Sequence, residues 1–294
     1  MIARGAHLAA IRERGLEYVA ATGTFHVEVA ASAEAADFGV QDVVICTLKA
    51  HALTASAPAL ARLLGKDTPV IFAQNGVPWW YFSSQNLAVP GVTLDPEAVM
   101  DRHIGLSRAV GCIIHCPSQL IAPGVVKQEG ASARYYLGEP GGGRSERLRQ
   151  LTDLLSPALP VIPVGDLRHE VWRKLRINIA SSLLTTLTLS LPADIMKDQA
   201  LRQLFQQILS ETTGIAAAYG VRLPLDEEEV TQNFSRSLHA PSMLQDLLAD
   251  RPLEVDAQLL VVQQLARAAS VVTPALDSML ALLLQRLKAT ARSG

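Results

Sequence analysis

The sequence predicts two domains in series, an α/β domain with a parallel sheet over residues 1–166 and an all-α domain over residues 167–294. Three observations carry this expectation. The chain has 294 residues, enough for two domains at roughly 150 residues each. Its first half alternates short β-rich runs with helical ones, the order of βαβ winding. After about residue 165 the apolar spacing is mostly that of helices, with no convincing strand.

Taken in chain order, Phe25–Ala30 (FHVEVA) alternates apolar and polar residues, the pattern of a half-exposed strand. Asp42–Thr47 (DVVICT) is a continuous apolar run, as in a strand buried on both faces of a parallel sheet. A helical stretch over Leu53–Leu64 separates it from a second buried run, Pro69–Ala73, which is closed by the turn dipeptide Asn75-Gly76. Further strand-like runs cover Ala109–His115 and Ala133–Leu137. The adjacent glycines of Gly138–Gly143 read as a strand-to-helix connection, since a phosphate-cradling turn spaces its glycines. The domain boundary falls near Pro163–Asp166. Helical periodicity then covers Ala200–Tyr219, Ser242–Leu248 and Leu253–Ala269. Pro274 opens a last helix made amphipathic by Leu276, Met279, Leu280 and Leu283.

Composition excludes several function classes. Hydrophobic residues make up 49% of the chain, too many for a disordered one, and 26 basic residues against 28 acidic ones leave a net charge of −2. So balanced a chain has no field to draw in nucleic acid or an anionic membrane, and its longest aliphatic stretch, Met279–Leu284, is far too short to span a bilayer. Charged residues from Arg4 to Arg14 interrupt any secretory signal. Three cysteines, Cys46, Cys112 and Cys116, argue against a disulfide framework and for a reducing, cytoplasmic setting. No metal site is expected, because Cys112 and His115 diverge on a strand and no second ligand pair follows. The G-x-S-x-G elbow of a serine hydrolase is missing as well.

The strongest local signal is Lys174, Asn178 and Ser182, which share one face of an otherwise apolar helix at i, i+4 and i+8. A lysine on such a face, turned to a cleft, can act as a general acid; a snorkelling lysine beside a polar neighbour explains the spacing equally well. In the SMLQD segment Ser242 reads as a helix N-cap with Gln245 completing a capping box, and Glu254 and Asp256 open the next helical segment. At the other end of the chain, Met1–Gly5 reads as the tail of the second strand of a dinucleotide-binding fold. Arg4 then stands where a basic residue suits the 2′-phosphate of NADP, although a plain surface arginine would look the same. None of the 19 glycines forms the G-x-G-x-x-G turn that such a fold places before that strand.

Six segments together resemble the ketopantoate reductase (2-dehydropantoate 2-reductase) family: IARGAHLAAIRERGL (2–16), ICTLKAH (45–51), FAQNGVPWWYF (72–82), RAVGCIIH (108–115), VWRKLRINIA (171–180) and SMLQDLLADRPLEVDA (242–257). The resemblance implies an N-terminal Rossmann domain, incomplete at its first strand, and an all-α C-terminal domain like that of 6-phosphogluconate dehydrogenase, with the active site in the cleft between them. It implies NADPH-dependent reduction of a 2-oxo acid to the 2-hydroxy acid, within pantothenate biosynthesis for the type enzyme, and a small-molecule substrate. A homodimer is the expected assembly. Carried over residue by residue, Lys174 matches the catalytic acid and Glu254 the carboxylate that contacts it and the substrate hydroxyl. Asn178, Ser182 and Ser242 match substrate-binding positions, Asn75 matches the junction of cofactor and substrate, and Lys49 and Arg4 match cofactor contacts.

Three departures qualify the resemblance. The first strand and glycine turn, roughly 25 residues by the usual spacing, are expected upstream of Met1 if the start is internal. Ser182 replaces a second asparagine, and Leu259 and Leu260 replace a small or polar pair, which puts ketopantoate itself in question. The alternative is a catalytically silent homologue that serves as a binding or interaction module.

Overall fold

A computed structural model of the chain describes residues 1–82, 89, 94–130, 132–224 and 226–290. The chain separates into two compact units. One comprises Met1–Leu48, Ala52–Gln74 and Asp95–Gly165; the other comprises Lys49–His51, Asn75–Leu94 and Asp166–Gly294. Two short segments of the N-terminal half therefore group with the helical half.

The first unit opens with an isolated bridge, Ile2 pairing in parallel with Ser32, and then helix α1 (Gly5–Arg14). Strands β1 (Leu16–Ala20) and β2 (Gly23–Val27) form a two-residue hairpin across Ala21-Thr22. Strand β3 (Val44–Cys46), helix α2 (Ala50–Ala61) and strand β4 (Val70–Ala73) follow, then the short helix α3 (Val99–His103). Strands β5 (Ala109–His115), β6 (Ser118–Ala122), β7 (Val125–Gln128) and β8 (Arg134–Gly138) lead to helix α4 (Glu146–Leu155) and strand β9 (Val161–Pro163). Gly138–Gly143 lies in the connection from β8 to α4.

Two sheets result, of order β3-β4-β5-β8-β9 and β2-β1-β7-β6. The first is mixed rather than parallel throughout, because β8 runs antiparallel to β5 while β3, β4 and β5 are parallel. Its core gathers Ile71, Val110, Cys112 and Leu137 under Leu148 and Leu151 of α4. Such continuous apolar runs make strands because both faces are covered. One run departs from that expectation. β3 is an edge strand, so Val44 and Cys46 are buried while Ile45 is 50% exposed. The expected strand over Phe25–Ala30 also shifts to Gly23–Val27, since the hairpin sets the register and leaves every β2 residue exposed.

The second unit is helical among its described residues: α5 (Leu167–Thr188), α6 (Pro192–Ile195), α7 (Gln199–Ala218), α8 (Glu227–Ser235), α9 (Ser242–Leu248), α10 (Val261–Ala268) and α11 (Pro274–Thr290). Asp166 caps α5 by accepting the Arg168 N–H, and Asp198 caps α7 by accepting the Leu201 N–H. Leu276, Leu280 and Leu283 of α11 are fully buried, as the amphipathic spacing requires. Just before α10, residues Asp256–Leu260 form a wide π-helical turn. No described helix is long and apolar enough to cross a membrane.

Candidate active site

Within the helical unit, α5 carries Lys174 on a half-buried position, and its Nζ donates to Asn75 Oδ1 at 2.8 Å. Asn75 stands in the turn after β4, and local chemistry fixes that turn. Gly76 has φ of +80°, a backbone region that side chains disfavour, and a Cβ there would sit 2.5 Å from the Ala257 carbonyl oxygen. The Val77 N–H donates to the same carbonyl at 2.8 Å. The π-helical turn thus offers a backbone acceptor, and the glycine lets the Asn75 loop approach it.

The loop continues into Trp79, Trp80, Tyr81 and Phe82, all buried. Trp172 Nε1 donates to the Tyr81 hydroxyl at 2.7 Å, tying this segment to α5 two residues before Lys174. Burial pushes the Tyr81 phenol up to about 12, so it stays a neutral acceptor. Asn178 lies half-buried one turn beyond Lys174, and Ser182 is buried two turns beyond.

Two buried carboxylates hold the segment after β3. Asp246 Oδ2 accepts from Lys49 Nζ at 2.5 Å and its Oδ1 accepts from Arg251 Nε at 3.0 Å. Glu254 Oε1 accepts the Ala50 N–H at 3.2 Å, and its Oε2 accepts from Gln258 Nε2 at 3.1 Å. Consecutive residues, Lys49 and Ala50, are therefore each pinned by a different carboxylate. Lys49, assigned to the cofactor by resemblance, is ion-paired here and retains two further N–H bonds to offer an anion.

Ser242 needs a correction. It is the first residue of α9, not its cap; Pro241 occupies the cap without a side-chain bond. Gln245 turns its amide to the Ala240 carbonyl instead of closing a capping box. Pro241 has no N–H for a capping-box partner to satisfy, which removes the reason for that box. Ser242 is exposed, one helical turn from Asp246.

Arg4 belongs to the other unit, where it is exposed and lines a cleft of about 340 Å³ together with Glu34, Phe38, Ile45, Thr47 and Leu60. A cationic residue beside partly apolar walls fits the adenosine end of a dinucleotide. The sequence as given carries no G-x-G-x-x-G turn for a dinucleotide's pyrophosphate. Glu34 on the same wall competes with Arg4 for the sign of charge the cleft accepts. Among the described residues no group of His, Cys, Asp and Glu side chains could hold a metal.

Sequence reasoning gave Asp246 and Arg251 no role within their segment and passed over Gln258. Asp246 had a signal: a charged residue one turn after Ser242 on an otherwise apolar helix face. Gln258 had none, since a glutamine at i+4 from a glutamate is ordinary surface chemistry until its burial is known.

A sheet unit and a helical unit that carries a lysine–asparagine pair are a build compatible with an oxidoreductase. Two family models match, "Ketopantoate reductase PanE/ApbA" over residues 1–142 and "Ketopantoate reductase PanE/ApbA C terminal" over residues 166–287. The chain belongs to the ketopantoate reductase family of oxidoreductases. It is 38% identical to a 2-dehydropantoate 2-reductase of Mesorhizobium japonicum, over 96% of this chain and 88% of that protein. A putative ketopantoate reductase of Ralstonia solanacearum superposes with a TM-score of 0.88 at 32% identity, over 99% of this chain and 90% of the other. A D-mandelate dehydrogenase solved with NADH and anilino(oxo)acetate shares the fold at 22% identity and a TM-score of 0.80, covering 97% of this chain and 88% of that one.

Proposed function

We propose that the protein reduces a 2-oxo acid, 2-dehydropantoate or a related compound, to the 2-hydroxy acid with NADPH, and that Lys174 is the general acid. The observation that carries this reading is the 2.8 Å bond from Lys174 Nζ to Asn75 Oδ1. A reduced nicotinamide dinucleotide, when bound, supplies the hydride. Addition of that hydride builds negative charge on the carbonyl oxygen, and an ammonium held in one direction stabilises the charge and delivers a proton. Asn75 sets that direction without adding charge, and Asn178 offers an amide to the substrate one turn along the same helix face. Glu254, held by neutral donors at both oxygens, is the group for the product hydroxyl. Ser242, exposed at the start of α9, offers a hydroxyl to the substrate carboxylate, and Lys49 and Arg4 serve the cofactor phosphates.

The test is Lys174→Ala, assayed with NADPH and a panel of 2-oxo acids. Turnover is expected to fall by about 10³-fold or more while NADPH affinity stays within threefold. Near-normal turnover rejects the role of Lys174. The panel sets 2-dehydropantoate against aryl-substituted 2-oxo acids.

A titration with NADPH and NADH tests the cofactor: saturable binding with turnover supports the reductase, and no binding of either nucleotide counts against it.

A further inference from the structure

Gln258 lies in the π-helical turn with 1% of its surface exposed. A polar amide in such a place is disfavoured against leucine or methionine unless it is hydrogen bonded. Its Nε2 donates to Glu254 Oε2 at 3.1 Å, and its backbone N–H donates to the Glu254 carbonyl at 3.2 Å. The opposite carboxylate oxygen takes the Ala50 N–H at 3.2 Å. A carboxylate with one fixed neutral donor at each oxygen cannot rotate about its last bond without losing both. Each oxygen still keeps a lone pair free for another donor.

We propose that Gln258 is a positioning residue for this reaction: with the Ala50 N–H it fixes the plane of the Glu254 carboxylate, whose remaining lone pairs then face the substrate hydroxyl. This rests on the reading of Glu254 as a substrate-contacting group. Gln258 touches no reacting atom itself, and its effect passes wholly through Glu254.

Four forms of the full chain test it: unaltered, Gln258→Met, Glu254→Gln, and the double variant. Gln258→Met keeps the side-chain length and removes the donor. It is expected to lower kcat about 10-fold with the 2-oxo acid KM changed less than about threefold. In the Glu254→Gln background the same change is expected to leave kcat within about twofold. An equal loss in both backgrounds means that Gln258 merely packs, and overturns the proposal, as does an unchanged kcat in the single variant. Should the methionine variant fail to fold, Gln258→Asn, which withdraws the amide by one carbon, carries the same expectation and the same refutation. If the unaltered protein reduces no 2-oxo acid, the functional reading itself falls and the positioning role with it. Turnover in the unaltered protein with a loss independent of Glu254 sinks the positioning role alone.

Discussion

The two units bury their polar groups in opposite ways. Among the described residues, the buried polar side chains of the sheet unit are Ser32, Thr68 and Gln74, all neutral. Every buried charged side chain lies in the helical unit: Arg176, Asp246 and Glu254. Burying a charge is costly unless it is paired or hydrogen bonded: Arg176 pairs with Asp226, Asp246 pairs with Lys49 and Arg251, and Glu254 accepts from the neutral Ala50 N–H and Gln258 amide. Stability alone rarely favours such an arrangement over apolar packing. The sheet unit is a scaffold whose exposed Arg4 faces a cleft.

Glycines give the sharpest way to break this contrast. Gly76 of the helical unit and Gly5 of the sheet unit both have positive φ, yet a Cβ at Gly5 meets nothing within 4 Å while one at Gly76 meets the Ala257 carbonyl. Gly76→Ala is expected to cost about 3–4 kcal/mol and to displace Asn75. Gly5→Ala is expected to cost about 1–2 kcal/mol, the backbone penalty alone. Urea unfolding of both variants decides, and equal losses would erase the distinction.

Tyr81→Phe probes the same loop with a smaller effect. Removing the hydroxyl orphans the buried Trp172 N–H at a cost of about 1–3 kcal/mol. It also changes the alkaline limb of stability. The folded Tyr81 holds its proton to about 12, whereas the unfolded chain releases it near 10. The unaltered protein therefore loses stability as pH rises from about 10 to 12, by about 2–3 kcal/mol from this group, and the phenylalanine variant lacks that part of the loss. Unfolding curves at pH 9 and pH 11 measure it, and identical slopes for the two proteins would count against the burial argument.

Arg4→Ala, on the scaffold side, is expected to leave stability within about 0.5 kcal/mol, as for an exposed side chain. If Arg4 reads a 2′-phosphate, the variant weakens NADPH at least about 10-fold and NADH less than threefold. Equal losses would remove Arg4 from cofactor choice.

Much of this was legible from local pattern. The strand over Ala109–His115 matches its apolar run residue for residue and the last helix opens at Pro274 as expected, because a covered strand and an amphipathic helix each leave a strong periodicity. Strands β1, β6 and β7 went unread. They are short and half-exposed or exposed, and pairs such as Tyr18 with Val126 join positions far apart in the chain. The exposure of Ile45 was hidden for a related reason, since a sequence shows an apolar run but not that its strand lies at a sheet edge. In the site, the face shared by Lys174 and Asn178 was readable from spacing, and Asn75-Gly76 from turn chemistry. That Lys174 meets Asn75 could be expected only from the family resemblance, because 99 residues separate them and no local pattern links them. The π-helical turn that seats Gly76 leaves no sequence pattern that helix periodicity would reveal.

The pairing of Lys174 with Asn75 is best tested by a cycle of Lys174→Ala, Asn75→Ala and the double variant, followed by turnover of a 2-oxo acid with NADPH. If the asparagine works by aiming the ammonium, the double variant is about as slow as Lys174→Ala alone. Losses that multiply would mean the two side chains act separately, and would contradict the account.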